Sequence, residues 1–554
     1  MPSRPRTRLL ALAFGVIVAS VAAEVVLRIL DLPRGRAHGV VARTIAEGVF
    51  EVHCGESGAE AVNTVVARAK PAGTLRVVFV GDSTIHGFVL AEQSTIPRLF
   101  AAQFEHLSGR RVDPVVLAAP GLDAAQVAEL ARFAARELEL DAIVVYTGNN
   151  EFLPAATEAV AARRAVRLPE SLANLLETTR LGALLVRALQ PVPRGGLVAP
   201  GTTAPSTWIE PTSRTAALRP FILERFAATL DRLATELTAQ GVALVFALPV
   251  SNGREYPPIQ SAFSRPLDPS TQESYRARLE SAARAISSGE LERAGAEIEA
   301  LRAIDPDVAI LRHVEADWTR ARGEVDVARG LDLEAWGLDE NARAASTAIL
   351  ARIVAAAERH GLPLLDARAA IERAPVVGEG ALFVDHCHPT VRGQAIVAAE
   401  WALALVPRLA PQGAATTQAA LRERLLGPAE VCAKAGVAPD ALHDSEGMKF
   451  VGDLFYALTA PDPEPFLVRV RAQLAAQDPL HPTLEHFVLA DLVLALLDGD
   501  RDRAVLRSAR LAVEQPETAV RLRAMVFGAD RLRSRVEALG LQVEPDGRFR
   551  VAER

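Results

Sequence analysis

Leu75–Val80 reads LRVVFV and runs without interruption into Gly81-Asp82-Ser83-Thr84-Ile85-His86-Gly87. A continuous, β-branched apolar run of this kind predicts a strand buried on both faces, as in a parallel sheet. Asp82 and Ser83 are good capping residues, so a turn into a helix is expected directly after it. Four more runs resemble the first: Val112–Ala118 (VDPVVLA), Ala142–Tyr146 (AIVVY), Val242–Leu248 (VALVFAL) and Leu362–Leu365 (LPLL). Helical segments lie between them, among them Ala91–Leu107, Ala124–Leu138 and Pro220–Gln240. Alternating strands and helices imply a doubly wound α/β sheet. Such sheets bind ligands beyond the carboxyl ends of their strands, so the chemistry is expected just after these runs.

The rest of the chain bounds the class. At roughly 100–200 residues per domain, 554 residues hold two to four domains. Half of the residues are hydrophobic and 23% are charged, enough for a large core and unlike a disordered chain. The formal charge of −7 argues against a general nucleic-acid binder, which needs a basic face. Aromatics at 5% argue against base-stacking modules as well. Three cysteines, Cys54, Cys387 and Cys432, exclude a disulfide scaffold and a four-cysteine zinc site. One disulfide at most can form; the sequence leaves open whether Cys54 and Cys432 make it.

At the amino terminus Arg4, Arg6 and Arg8 precede an apolar run, Leu9 to Ala23; Glu24 interrupts it and Val25-Val26-Leu27 come next. This is the layout of an export signal. An uncleaved anchor reaching about Leu30 is the preferred reading, with residues 1–35 as the membrane segment. The positive-inside rule then puts the bulk of the chain outside the cytoplasmic membrane, as a single-pass protein. A signal peptide cleaved near Ala22 or Ala23 and a buried helix of a soluble protein are the alternatives.

Two stretches interrupt the α/β pattern of residues 36–410. Gln190–Ser213, rich in Pro, Gly, Thr and Ser, predicts a long surface loop. Residues 270–345 read as helical and carry a repeat: Gly289-Glu290 with Ala294 and Pro306 recurs 34 residues later as Gly323-Glu324 with Ala328, and Asp305 recurs as Asp339. That is the period of a tetratricopeptide (TPR) helix pair. The same grammar returns in Gly499-Asp500, Ala504 and Pro516. Residues 411–554 are expected to form a separate, wholly helical domain with TPR-like character.

Candidate chemistry sits at the strand ends. Ser83 stands between a buried strand and a helix N-terminus, where negative charge is favoured. This suits a nucleophile whose reaction creates an oxyanion; a simple turn with an N-cap is the plain alternative. Gly121, in Ala119-Pro120-Gly121, lets the backbone approach a ligand, or merely turns. Thr147-Gly148-Asn149-Asn150-Glu151 offers side-chain amides as oxyanion donors, or a turn. Last comes Phe383-Val384-Asp385-His386-Cys387-His388-Pro389. A nucleophilic serine needs a base, and the base needs an acceptor to hold its tautomer. Asp385 and His388 fit those roles. The rival is a metal site, since Asp, His and Cys are all ligand types.

Taken in order, these four blocks resemble the SGNH/GDSL hydrolase family, whose blocks supply Ser, Gly, Asn and His. The resemblance covers roughly residues 72–155, 220–260 and 345–408. G-D-S-T-I-H-G makes Ser83 the nucleophile; the second block lies around Gly121. G-N-N-E is similar to G-x-N-D and places the family Asn at Asn150, with Glu151 where Asp is usual. D-H-C-H-P matches D-x-x-H-P and makes Asp385 and His388 acid and base. The implied fold is a flavodoxin-like, doubly wound parallel sheet of the SGNH type, with a TPR-like helical insert and a C-terminal all-α domain. The large insert resembles a membrane-anchored, TPR-bearing bacterial subgroup.

The resemblance implies a serine esterase with Ser83, Asp385 and His388 as the triad. Its oxyanion hole is built from the Ser83 and Gly121 N–H groups and the Asn150 amide. No cofactor, metal or nucleic acid is implied. The expected substrate is an acyl ester on an envelope or exported glycan or lipid, with a protein partner taken up by the TPR-like helices. An O-acyltransferase with the same triad and an inactive TPR-type adaptor are the alternatives. His86 and Cys387 flank catalytic positions and are read as incidental to the chemistry.

Overall fold

The computed structural model describes residues 40–54, 62–87, 90–153, 208–209, 214–340, 342, 344–374, 382–410, 417–438, 441, 449, 453–454, 456–457, 464–475, 485–514 and 530–551. The apolar amino-terminal run and nearly all of Gln190–Ser213 lie outside them. Among the described residues no helix is long and apolar enough to cross a membrane.

The chain first makes an antiparallel sheet of β1 (Val40–Ala46), β2 (Val49–Cys54) and β3 (Val62–Ala67), with β2 central. Phe50, Val52 and Val66 are buried and belong to the main core, and Phe50 meets Phe133 edge-on at 5.5 Å. No expectation from the sequence covers this sheet: Ala42–Ala46 of β1 are exposed, β2 buries only Phe50 and Val52 among its described side chains, and none of the three strands has the long apolar run of the central ones.

The central sheet has five parallel strands: β4 (Leu75–Gly81), β5 (Val112–Ala118), β6 (Ala142–Tyr146), β8 (Leu244–Ala247) and β10 (Leu364–Leu365). Between them in the chain, β7 (Trp208–Ile209) pairs with β9 (Ser261–Ala262) in a separate parallel pair. The strand order is β10-β8-β6-β4-β5. Counted along the chain from the far edge this is 2-1-3-4-5, the flavodoxin-like doubly wound order, with its switch point between β4 and β6.

Every residue of β4 is buried. Val78 and Val80 join one core, and Leu75, Val77 and Phe79 join the other. The strand is therefore sandwiched, which is why its sequence does not alternate polar with apolar. One face is covered by α3 (Ala124–Glu137), α4 (Arg214–Ala239) and α9 (Thr347–His360). The other is covered by α2 (Ile96–Ser108), the short α10 (Arg368–Arg373) and α11 (Val391–Leu409). Phe79 stacks on Trp401 with centroids 6.4 Å apart and meets Phe100 edge-on at 5.4 Å. A buried side chain of this size contributes roughly 1.5–3 kcal/mol by transfer alone.

Residues 269–338 are helical: α5 (Pro269–Ser287), α6 (Leu291–Ile304), α7 (Ala309–Ala321) and α8 (Val325–Leu338). The 34-residue echo falls on equivalent positions. Gly289 and Gly323 turn between helices with φ of 78° and 87°. Ala294 and Ala328 are both fully buried. Asp305 and Asp339 both end a helix and both accept backbone N–H groups, from Ser264 and from Ile259 and Gln260.

After α11 come α12 (Gln418–Glu423), α13 (Pro428–Ala435), α14 (Glu464–Ala475), α15 (Glu485–Asp498), α16 (Arg501–Glu514) and α17 (Asp530–Ala538). Leu421, Val431, Cys432 and Val437 pack into the same core as α2 and α11, whereas α14 to α17 gather around another core, which also takes in Tyr256 from the segment after β8. The expectation of a wholly helical end is corrected. Leu541–Val543 and Phe549–Val551 form an antiparallel pair, β11 and β12. Its turn holds Asp546-Gly547, with Gly547 at φ 84°, and Asp-Gly is the strongest short hairpin signal. That signal stood in the sequence and was outweighed by the helices around it. The thiols of Cys387 and Cys432 are free and buried.

Candidate active site

Ser83 is the first residue of α1 (Ser83–His86), a single turn that begins where β4 ends. Asp82 caps it, accepting the Thr84 N–H at 3.0 Å. Asp82 is thus the cap, and the buried Ser83 next to it is left with its side chain outside the cap hydrogen bond, so the two readings of this turn are compatible. Burial pushes the Asp82 carboxyl up to about 6.

Asp385 and His388 arrive from a loop far along the chain. Residues 382–390 make a tight loop closed by a Phe383–Pro389 bridge and by a Val384 N–H to His388 carbonyl bond of 2.8 Å. Gly393 is required beneath it: a Cβ there would run into the Leu382 carbonyl oxygen and stand 2.8 Å from the Pro389 Cβ.

His388 Nε2 lies 2.7 Å from Ser83 Oγ, and His388 Nδ1 lies 2.7 Å from Asp385 Oδ2. Asp385 Oδ1 accepts the backbone N–H groups of Cys387 and His388, each at 2.9 Å. With both Asp385 oxygens committed, the Nδ1 proton of His388 is fixed on the carboxylate, and Nε2 is left to accept the serine proton. Burial disfavours charge on Asp385, but His388, His386 and these hydrogen bonds outweigh it and hold the carboxyl far below its usual range. Burial likewise lowers His388, and the Asp385 carboxylate outweighs it, raising the imidazole well above its ordinary 6.5.

Gly121 and Asn150 come from the segments that follow β5 and β6. Gly121 turns with φ of 77°, and a Cβ on it would meet nothing within 4 Å, so the turn faces open space. No hydrogen bond to another described residue takes the backbone N–H of Ser83 or of Gly121. Asn150 donates from Nδ2 to the Leu122 carbonyl at 3.0 Å, which ties the third strand end to the Gly121 turn. Glu151 grips the same turn by accepting the Ala124 N–H at 2.9 Å. Burial, helped by Asp123, pushes the Glu151 carboxyl up to about 8.

The neighbouring amide, Asn149, is used differently. Its Nδ2 donates to Thr84 Oγ1 at 3.4 Å and its Oδ1 accepts the Ala345 N–H at 3.1 Å. Strand-end position alone does not separate two adjacent Asn residues; it is the G-x-N-D resemblance that points to Asn150, and Asn149 is the one held by Thr84 and Ala345. Other contributors come from segments that sequence reading had no reason to join. Trp336 of α8 lies 6.0 Å from the His386 ring, which in turn lies 6.1 Å from the His388 ring. The Asn252 N–H donates to the His386 carbonyl at 2.8 Å.

Cys387 Sγ is 3.8 Å from His388 Nδ1 and lies against the ring; burial pushes its thiol up to about 11. Asp385, His386 and Cys387 are the one group among the described residues whose ligand-type atoms all lie within 4.8 Å of one another. Both oxygens of Asp385 are already taken by His388 and the two backbone N–H groups, and burial disfavours the thiolate that a metal would need, which makes this a poor metal set. His86 ends α1, and burial lowers its imidazole.

The structure therefore brings Ser83, His388 and Asp385 into one hydrogen-bonded line at the sheet's switch point, beside the strand ends that carry Gly121 and Asn150. No protein-family model matches the chain, and no curated protein is significantly similar to it.

Proposed function

We propose that the chain is a serine ester hydrolase of the SGNH/GDSL type, acting through an acyl-enzyme. The observation that carries this reading is the Ser83–His388–Asp385 line, with 2.7 Å at each link. Ser83 Oγ attacks the ester carbonyl carbon while its proton passes to His388 Nε2. Asp385 stabilises the imidazolium so formed. The oxyanion accepts from the Ser83 and Gly121 N–H groups and from the Asn150 amide. The carbon–oxygen bond to the alcohol then breaks, and His388 returns its proton to the departing oxygen. Water, deprotonated by His388, attacks the acyl-serine, releasing the acid and restoring Ser83. Losing one oxyanion donor typically costs about 10²–10³ in rate.

The proposed substrate is an acyl ester on an envelope or exported glycan or lipid. This rests on reading Leu9–Ala23 as part of an anchor in the cytoplasmic membrane, with the remaining chain extracytoplasmic. Transfer of the acyl group to a sugar hydroxyl instead of water uses the same residues. The 34-residue helix pairs support a TPR-like insert, whose part is to engage a protein partner. An inactive adaptor would have no use for a base aligned on Ser83, and the alignment argues against it.

The test is a fluorophosphonate probe applied to the purified chain. Wild type is expected to be labelled, and Ser83→Ala and His388→Ala are not. A folded wild type that stays unlabelled at pH 8 would overturn the esterase reading.

A further inference from the structure

The carbonyls of the acid–base loop are held from outside, one after another. The Thr84 hydroxyl donates to the Cys387 carbonyl at 3.3 Å, the Asn252 N–H to the His386 carbonyl at 2.8 Å, and the Tyr256 hydroxyl to the Val384 carbonyl at 3.2 Å. The last of these immediately precedes Asp385. Asn252 and Tyr256 belong to one segment, which comes after β8, and this segment is anchored on the C-terminal helices. Lys449 Nζ lies 2.5 Å from Glu255 Oε2, which also accepts Asn252 Nδ2 at 2.7 Å. The Tyr256 ring stacks on Tyr456 with centroids 4.6 Å apart and on Phe466 at 6.4 Å. Asp453, fully buried, has an oxygen 3.4 Å from the Tyr256 hydroxyl and is gripped by Arg469 at 2.8 and 3.1 Å.

A buried tyrosine needs some partner for its hydroxyl, so the bond alone is ordinary. Its acceptor is what matters. A phenol carries one proton, and here Asp453 and the Val384 carbonyl both lie within reach of it. One acceptor sits in the C-terminal core and the other in the loop that aims His388 at Ser83. A misplacement of about 1 Å in such a loop can cost about 10² in rate.

We infer that Tyr256 is a positioning residue for the Asp385–His388 pair, and that through it the C-terminal helices are part of the hydrolytic unit and not an independent appendage. The inference rests on the esterase reading. Lys449 and Glu255 hold the segment from one side, the aromatic stack of Tyr256, Tyr456 and Phe466 from the other, and the hydroxyl transmits that placement to Val384. Any partner that shifts the C-terminal core would thereby change the rate at Ser83.

The test compares the full chain with Tyr256→Phe, which keeps the ring stack and removes only the hydroxyl. The fluorophosphonate labelling rate is measured from pH 5 to 9. The variant is expected to label about 10-fold more slowly at pH 8 and to stay folded, with its melt lowered by no more than the loss of one buried hydrogen bond. Its pH–rate midpoint should move down, because a looser Asp385 raises His388 less. Lys449→Met is the second variant; it leaves the tyrosine in place and frees Glu255, and a smaller loss in the same direction is expected. Wild-type rate and midpoint in both variants would overturn the positioning role while leaving the esterase reading intact. A folded, unlabelled wild type would remove the esterase reading and this inference with it.

Discussion

Replacing Asp385 by Asn tests the acid–base pair in a way the geometry makes one-sided. Asp385 Oδ1 receives two backbone N–H groups at 2.9 Å each, from Cys387 and His388. An amide nitrogen in that place would face two donors, so the Asn oxygen must take it. The amide nitrogen is then forced into the Oδ2 position, 2.7 Å from His388 Nδ1. There it donates, and Nδ1 must accept. The imidazole proton moves to Nε2, the atom that has to accept the serine proton. In a serine protease triad the equivalent wrong tautomer lowers kcat by about 10⁴, close to 5.4 kcal/mol at 1.36 kcal/mol per decade. The two backbone bonds to the Asn oxygen survive, so the loop keeps its shape. Hydrolysis of p-nitrophenyl acetate at pH 8, read with the thermal melt, is the assay. The expected outcome is a melt near that of wild type and turnover lower by about 10⁴. Turnover within 10-fold of wild type would refute the claim that Asp385 fixes the tautomer of His388.

The same geometry sets three further outcomes. Because Asp385 raises His388 above 6.5, the neutral base is lost as pH falls through that raised value, so kcat/KM should climb with pH and reach half its plateau above 6.5; the charged or titratable groups near His388 include Asp385, Cys387, Asp82 and His386. Asn150→Ala should lower kcat about 10²–10³-fold with KM little changed, since the amide serves the oxyanion and not the bound ester; an effect confined to KM would contradict its role. Glu151 has a folded value near 8 against 4.5 for the free residue, so its stabilising effect is complete below 4.5 and is lost as pH rises through 8. Glu151→Gln, neutral throughout, should flatten that slope: relative to wild type it gains stability between pH 5 and 9 in urea melts, by a few kcal/mol at most at about 1.4 kcal/mol per unit.

Much of the central architecture was legible because the signals were local. β4 to β6 announce themselves as unbroken apolar runs, and the runs at Val242–Leu248 and Leu362–Leu365 shrink only at their ends, to Leu244–Ala247 and Leu364–Leu365. Strand ends in a doubly wound sheet are where chemistry is expected, so Ser83, Gly121 and Asn150 could be named before their distances were known. Asp385 and His388 could be named as a pair from their spacing and joined to Ser83 through the family resemblance, but no local signal shows how a segment 305 residues away along the chain closes on that serine. The illegible parts are those set by tertiary contact. Tyr256 has no motif; its role comes from Val384 on one side and Asp453 on the other. Trp336 belongs to a repeat whose pattern says helix and nothing about His386. The β1–β3 sheet buries one face and alternates only weakly, and the closing hairpin hides in a single Asp-Gly turn.

The central claim is that Ser83 is a nucleophile activated by His388. Peptide mapping by mass spectrometry after fluorophosphonate treatment tests it most directly. The account predicts one adduct, on Ser83, formed faster as pH rises above 6.5 and absent when His388 is replaced by Ala. An adduct on another residue, or equal modification of Ser83 in the His388→Ala protein, would contradict it.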